Sequence, residues 1–181
     1  MASLPTDHLS PDDAAVAVRS FPRRFRSVLA RPELDGSDDH GDDGDEVATA
    51  DPDELARRVG PDGRSAADHL LAADGVLALL DRSLEQARSD DDPALHPAVR
   101  DLRGAWWDDE HTPLPALLDQ LEQTALRSAG RIDAVPTDEW GRQVRVADAD
   151  ATVGLLDLVR EAVDVVAGHL RSAERTIAAV R

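Results

Sequence analysis

Cysteine, tyrosine and lysine are all missing from this sequence, and methionine occurs once. Without cysteine there is no disulfide, no thiolate nucleophile and no cysteine-ligated zinc. Every basic residue is arginine, for which a high-GC coding bias or adaptation to salt is the simplest reading. Long apolar runs are missing too: none approaches the roughly 18 residues of a membrane span. The opening MASLPTDHLSPDD has neither the basic nor the apolar region of a secretion signal. A soluble, cytoplasmic protein is expected, with no membrane partner. A basic face is also lacking. The chain has 20 basic against 37 acidic residues, a net charge of −17, which argues against nucleic acid as a partner, since phosphate neutralisation needs clustered positive charge. There is no Gly-x-Ser-x-Gly elbow. There is no phosphate loop either, because the glycine-rich tract Gly36–Gly44 is acidic and repels phosphate.

What is present is a pattern of amphipathic helices. The 181 residues, 41% of them hydrophobic, are enough for one domain over 1–181 with a real core. Asp12–Ala30 starts on a Ser-Pro-Asp-Asp signal, with Ser10 as cap and Pro11 at the first helical position; Pro22 is expected to kink or divide this helix. Glu33–Glu54 holds eleven acids and no base and reads as a solvated, disordered acidic loop. Its DDHGDDGDE core lacks the alternating register and entering helix of a calcium loop. A short helix is expected over Asp53–Val59.

From Ser65 a long helix carries Leu70, Ala73, Leu77, Leu80 and Leu84 at steps of three and four. The SDDDPALHP stretch ends it. A middle segment, Ala98–Glu110, contains Trp106 and Trp107, read as core anchors. A third helix through about Asp133 presents Leu114, Leu117, Leu118, Leu121, Ala125 and Ile132. The segment AVPTDEW reads as a turn closed by a buried Trp140, and GRQVRVADAD as a short extended excursion. The last helix, from about Thr152 to Val180, has a seam of Leu156, Val159, Val163, Val166, Leu170, Ala173, Ile177 and Val180. No strand pairs are evident and no internal repeat is found, so the expected class is all-α.

Three stretches, SAADHLLAADGVL (Ser65–Leu77), VPTDEW (Val135–Trp140) and TVGLLDLVREAVDVVAGHLRSAERTI (Thr152–Ile177), resemble the DinB-like bundle superfamily, including its mycothiol-dependent maleylpyruvate isomerase branch. The resemblance implies an up-down-down-up four-helix bundle, often dimeric, with short extra helices. It also implies a divalent metal such as zinc or nickel, held by one histidine of the second helix and an i,i+4 pair of the last, that activates a low-molecular-weight thiol. Ligands at i and i+4 share a helix face, and three protein ligands leave a fourth position open.

This chain departs from that pattern. The second-helix ligand position falls on Ala72. His169 matches a last-helix position, but its i−4 partner is Val165. A register shifted by one gives Asp164 and Gly168, which point away from the seam at about 100° per residue. A rebuilt site would join His69, near the middle of its apolar stripe, to His169 on the flank of its own; Asp68, Glu161 and Asp164 project outward. Two buried, hydrogen-bonded histidines are the favoured reading. His69, Ala72, Val165 and His169 thus become candidates for lining a ligand pocket, with no cofactor and no resident metal favoured. The expected function is a non-enzymatic binding module for a small apolar or thiol ligand or a partner. The alternatives are a metal-dependent thiol transferase or isomerase using His69 and His169, and a homodimeric scaffold.

Overall fold

The computed structural model describes residues 8–29, 51–89, 92–104 and 112–181. The acidic loop as far as residue 50 and the Trp106–Trp107 pair lie outside them. The chain is mostly helical. Helix α1 is Pro11–Leu29, α2 Pro52–Arg57, α3 Ala66–Ser89, α4 Leu114–Asp133 and α5 Leu155–Val180. Each long helix packs on two others, α1 on α4 and α5, and α3 on α4 and α5. The cyclic order is therefore α1–α4–α3–α5.

The helix starts follow their sequence signals. Ser10 Oγ accepts the Asp13 N–H at 3.1 Å and donates to the Asp13 carboxylate at 2.7 Å. At α3, Ser65 Oγ accepts the Asp68 N–H at 3.1 Å while Asp68 Oδ2 accepts the Ser65 N–H at 2.7 Å; the reciprocal pair satisfies two orphan donors. Pro22 neither divides nor ends α1, which runs through it to Leu29. Its ring is buried in line with Phe21 and Phe25, so apolar packing on the core offsets the lost backbone bond.

Helix α3 is covered almost all round. Its buried set includes Leu70, Ala73, Leu77, Leu80 and Leu84, and also Ala66, Ala72, Val76 and Leu79. Two polar groups on it meet α4: Asp74 Oδ2 accepts from Gln120 Nε2 at 2.6 Å, and the Leu77 carbonyl accepts from Ser128 Oγ at 2.9 Å. The buried line of α5 starts at Leu155 and Leu158 rather than at Leu156, which is half-exposed.

Strand pairs, which the sequence did not reveal, form a small sheet. Strands β1 (Ala94–Leu95), β2 (Gln143–Val146) and β3 (Thr152–Gly154) lie in the order β1-β2-β3. The β2–β3 pair is an antiparallel hairpin in which Val144 faces Val153, and β1 joins β2 in parallel, with Leu95 opposite Val146. Thr152–Gly154 is thus a strand and not the first turn of α5. The β-branched Thr152 and Val153 suit a pleat, and Gly154 is the residue from which α5 departs. Val144, Val146 and Leu95 are buried in the same core as the helices. Trp140 is half-buried at its edge. None of the described helices is long and apolar enough to cross a membrane.

Helix α2 spans Pro52–Arg57, capped by Asp51, whose side chain accepts the Asp53 N–H at 3.0 Å. It is shorter than Asp53–Val59 because Arg58 turns extended and Val59 bridges to Ser65. Its Asp53 performs a distant task. Asp53 Oδ1 accepts the Leu114 N–H at 2.6 Å and Oδ2 accepts from Arg57 Nε at 3.0 Å. Pro113, at the cap position of α4, supplies no side-chain bond, so Asp53 does the capping from 61 residues away. Replacing Asp53 by Ala is expected to cost about 1 kcal/mol in urea unfolding, a normal cap loss. Asp53→Asn, which retains an acceptor for Leu114, should lose less; equal losses would remove the capping role.

Candidate functional site

The sequence places one histidine in the first turn of α3 and one just past the middle of α5, and the fold brings them together. His69 Nδ1 and His169 Nδ1 are 3.3 Å apart, with ring centroids at 5.6 Å and planes tilted by 42°. Both are buried, at 3% and 7% exposure. The two residues are 100 apart in sequence, so the contact is a product of the α3–α5 packing.

A third group fixes the polarity of the pair. His69 Nε2 lies 3.2 Å from Asp62 Oδ2. A carboxylate only accepts, so Nε2 carries the proton and Nδ1 of neutral His69 is left with its lone pair. His169 must then donate from its own Nδ1. The chain of bonds runs from His169 through His69 to Asp62. Asp62 is held by the turn that precedes α3: its Oδ1 accepts the Arg64 N–H at 3.2 Å, and Gly60 and Gly63 close that turn by backbone bonds. Gly63 sits at φ +79°, where a side chain is strained.

Burial governs the titration of both rings. His169 is pushed down from an ordinary value near 6.5 to about 4 by desolvation, with smaller contributions from the nearby charges of His69 and Arg103. His69 is also lowered by burial, opposed by its bond to Asp62. The Asp62 carboxyl is held below its usual range: its partial burial acts upward but is outweighed by the N–H bonds from Arg64 and His69. The pair can take up one positive charge, better held on His69 beside Asp62 than on His169, far more readily than two.

The imidazoles form the floor of an open cleft of about 460 Å³. Val165, Gly168, Arg171, Ser172 and Arg175 of α5 line it, together with Asp62 and Arg103. Arg103 comes from the turn after the 3₁₀ segment Pro97–Arg100 and pairs with Asp164. Arg175 donates to Ser172 Oγ at 2.9 Å.

Of the four candidates from sequence, His69, Val165 and His169 line this cleft, while Ala72 is fully buried and does not. Gly168 lines it too, half-exposed and off the apolar seam of α5. Asp164 is engaged by Arg103, and Asp68 by the α3 cap. Sequence reading missed Asp62, which lay in an apparent linker, and the three arginines, one from the loop after Arg100 and two from α5. The spacing Arg171–Arg175, one helical turn, was the available signal.

The donor set does not fit a divalent metal among the described residues. Two of the three expected ligand positions hold alkyl groups, and Asp62 binds the nitrogen of His69 that faces away from His169. No group of three His, Asp or Glu side chains is placed to hold an ion among the described residues. Comparison with family models, with curated proteins and with solved structures finds no match to this chain.

Two outcomes are expected. Between pH about 6.5 and 4 the unfolded chain holds a proton that folded His169 refuses. Stability is therefore complete above about 6.5, falls as pH drops through that window, and loses nothing more from this group below 4. The loss attributable to His169 is about 3 kcal/mol. In His169→Asn, whose Nδ2 replaces Nδ1 as donor to His69, unfolding measured across that window should keep only the slope due to His69; an unaltered profile would refute the assignment. Second, a Cβ on Gly60 would come within 2.8 Å of the buried Thr176 side chain. Gly60→Ala should lose about 1–3 kcal/mol, partly regained in Gly60→Ala/Thr176→Ala. Additive losses in the double variant would contradict that close fit.

Proposed function

We propose that this protein is a metal-free, DinB-like binding module, a four-helix bundle of up-down-down-up type that holds a small molecule over His69 and His169. The observation that carries this reading is the placement of two buried, mutually bonded imidazoles at the floor of a cleft of about 460 Å³. That volume suits a small ligand; both ring N–H groups are spent within the His169–His69–Asp62 chain, so the walls supply the donors. The cyclic packing of α1, α4, α3 and α5 supports the bundle, as do the segments Ser65–Leu77, Val135–Trp140 and Thr152–Ile177. The alkyl side chains at Ala72 and Val165 support a site that has given up metal chemistry. The walls, with Asp62, Ser172 and three arginines, favour a polar ligand over a purely apolar one. A thiol bearing polar groups fits the same walls.

One observation favours a second reading, a mycothiol-type metal-dependent transferase or isomerase with a rebuilt site. The 3.3 Å between the Nδ1 atoms is close to the edge of a tetrahedron whose nitrogens lie about 2.0–2.1 Å from zinc. The missing third donor weighs against it.

Gly168 supplies a clean test. A Cβ there meets nothing within 4 Å, so the side chain of Gly168→Leu starts into open space at the cleft, and the substitution gains helix propensity. Ligand-observed NMR with neutral, thiol and charged small molecules should give hits on the wild-type chain that Gly168→Leu weakens by at least about tenfold. Hits that do not change, or none, would overturn the binding-module reading. Elemental analysis of untagged protein decides the rival: near one equivalent of zinc or nickel favours the rebuilt site, and under about a tenth removes it.

A further inference from the structure

We infer that the ligand of this cleft is a small oxyanion, a molecule bearing a phosphate or carboxylate group, gripped by Arg171 and Arg175 above the two imidazoles. The inference rests on the binding-module reading and names the chemical class of its ligand. It comes from how charge is distributed. In a chain with 37 acidic and 20 basic residues, arginines gather at concave surfaces. A groove on α1 and α4 has Arg19, Arg23 and Arg26 with Glu122. This cleft, which alone of the two contains imidazoles, is lined by three arginines and one aspartate. That aspartate, Asp62, spends both oxygens on internal bonds, one to the Arg64 N–H and one to His69 Nε2.

The other nearby carboxylates are committed or displaced. Asp164 pairs with Arg103, and Asp68 caps α3 through the Ser65 N–H. Glu161 acts on Arg103, not on the pair further along α5. Neither Arg171 nor Arg175 forms an ion pair among the described residues; Arg175 has only the hydroxyl of Ser172. Their i,i+4 spacing stacks two like charges on one face, a repulsion that an anion between them converts into attraction. Elsewhere on the helices arginines meet carboxylates: Arg19 with Asp133, Arg26 with Asp119 and Glu122, and Arg131 with Asp81 and Glu85. Others do not, among the described residues: Arg24 lies over the Phe21 ring and Arg82 bonds the Ala78 carbonyl, so what distinguishes Arg171 and Arg175 is that they share one opening with the two imidazoles.

The chemistry is suited to the task. A guanidinium presents planar paired N–H donors that match a carboxylate or phosphate edge. Gly168 leaves room beside them, since nothing lies within 4 Å of where its Cβ would be. Ser172 Oγ adds a hydroxyl within the same lining. His169 Nδ1 is used by His69, so the neutral rings serve as a polar floor while the arginines supply the charge.

The test uses the full chain at pH 7.5 and constant ionic strength held with sodium chloride. Inorganic phosphate and succinate are titrated separately by calorimetry, with the imidazole resonances followed by NMR. At least one of the two should bind with Kd of about 1 mM or tighter and shift the His69 and His169 signals; which one binds distinguishes a phosphate from a carboxylate ligand. Arg171→Gln/Arg175→Gln should weaken that binding at least about tenfold, and Gly168→Leu should do so while leaving both arginines in place. Equal affinity in wild type and both variants, or no binding of either anion, overturns the inference. If neutral or thiol compounds still bind in a Gly168-dependent way, the ligand site survives and only its anionic character falls. If Gly168→Leu changes nothing for any compound, the site itself falls.

Discussion

A helix enclosed on nearly all sides accepts few side chains, and that constraint on α3 sets the terms for the rest of the molecule. Its buried positions are mostly leucine and alanine, with Gly75 among them. Small residues let α4 and α5 approach closely, and close approach is what turns an apolar stripe into a packed core. The polar groups admitted to this helix find partners nearby: one oxygen of Asp74 accepts from Gln120, while its Oδ1 stays buried and unbonded, and Ser83 donates to the Leu79 carbonyl one turn earlier. His69 follows the same rule at the N-terminal end, where α3 meets α5. It is tolerated because Asp62 and His169 satisfy its two nitrogens. Burying it without them would leave the desolvation cost of a polar ring uncompensated.

The helical part of this architecture was legible because its signals are local. Ser10–Pro11 and Ser65 mark starts, and three-and-four steps of leucine mark the faces that pack. The meeting of His69 and His169 was legible too, since each lies on or beside its helix's apolar stripe. The sheet was not. A two-residue strand such as Ala94–Leu95 has no period to read, and it pairs with residues some 50 positions later, so only tertiary packing of Leu95 and Val146 defines it. Pro22 misled for a related reason: propensity speaks of an isolated helix, whereas a proline ring buried beside Phe21 and Phe25 is held by its neighbours. Thr152–Gly154 continues the apolar pattern of α5 smoothly, and only the hairpin partner reveals it as strand.

The cleft was the least legible feature, because it is assembled from unrelated stretches. Asp62 belongs to a Pro-Asp-Gly turn, Arg103 to a loop, and Arg171 and Arg175 to the outward flank of α5. Each alone reads as ordinary surface. Net charge misleads here as well. At physiological salt the screening length is about 8 Å, so acids farther away than that hardly alter the potential inside a cleft. A chain at −17 can therefore hold a locally positive pocket, and the sum over the sequence excludes polyanionic partners better than it excludes a small anion.

Two buried histidines carry a desolvation cost that their surroundings must offset. If the imidazoles were mere survivors, alkyl groups of similar volume would pack there at no desolvation cost; replacing both partners of a buried hydrogen bond by apolar groups is often neutral or favourable. The depressed pKa of His169 measures how strongly that environment resists charge. Yet the surroundings are built for the rings as they stand: a carboxylate aligned on one nitrogen, a glycine turn that positions it, and an opening that reaches both. Ala72 and Val165 carry alkyl side chains and add no donor to the pair. What the fold places together is a pair of rings whose N–H groups are already engaged, and Arg171 and Arg175 lining the same cleft.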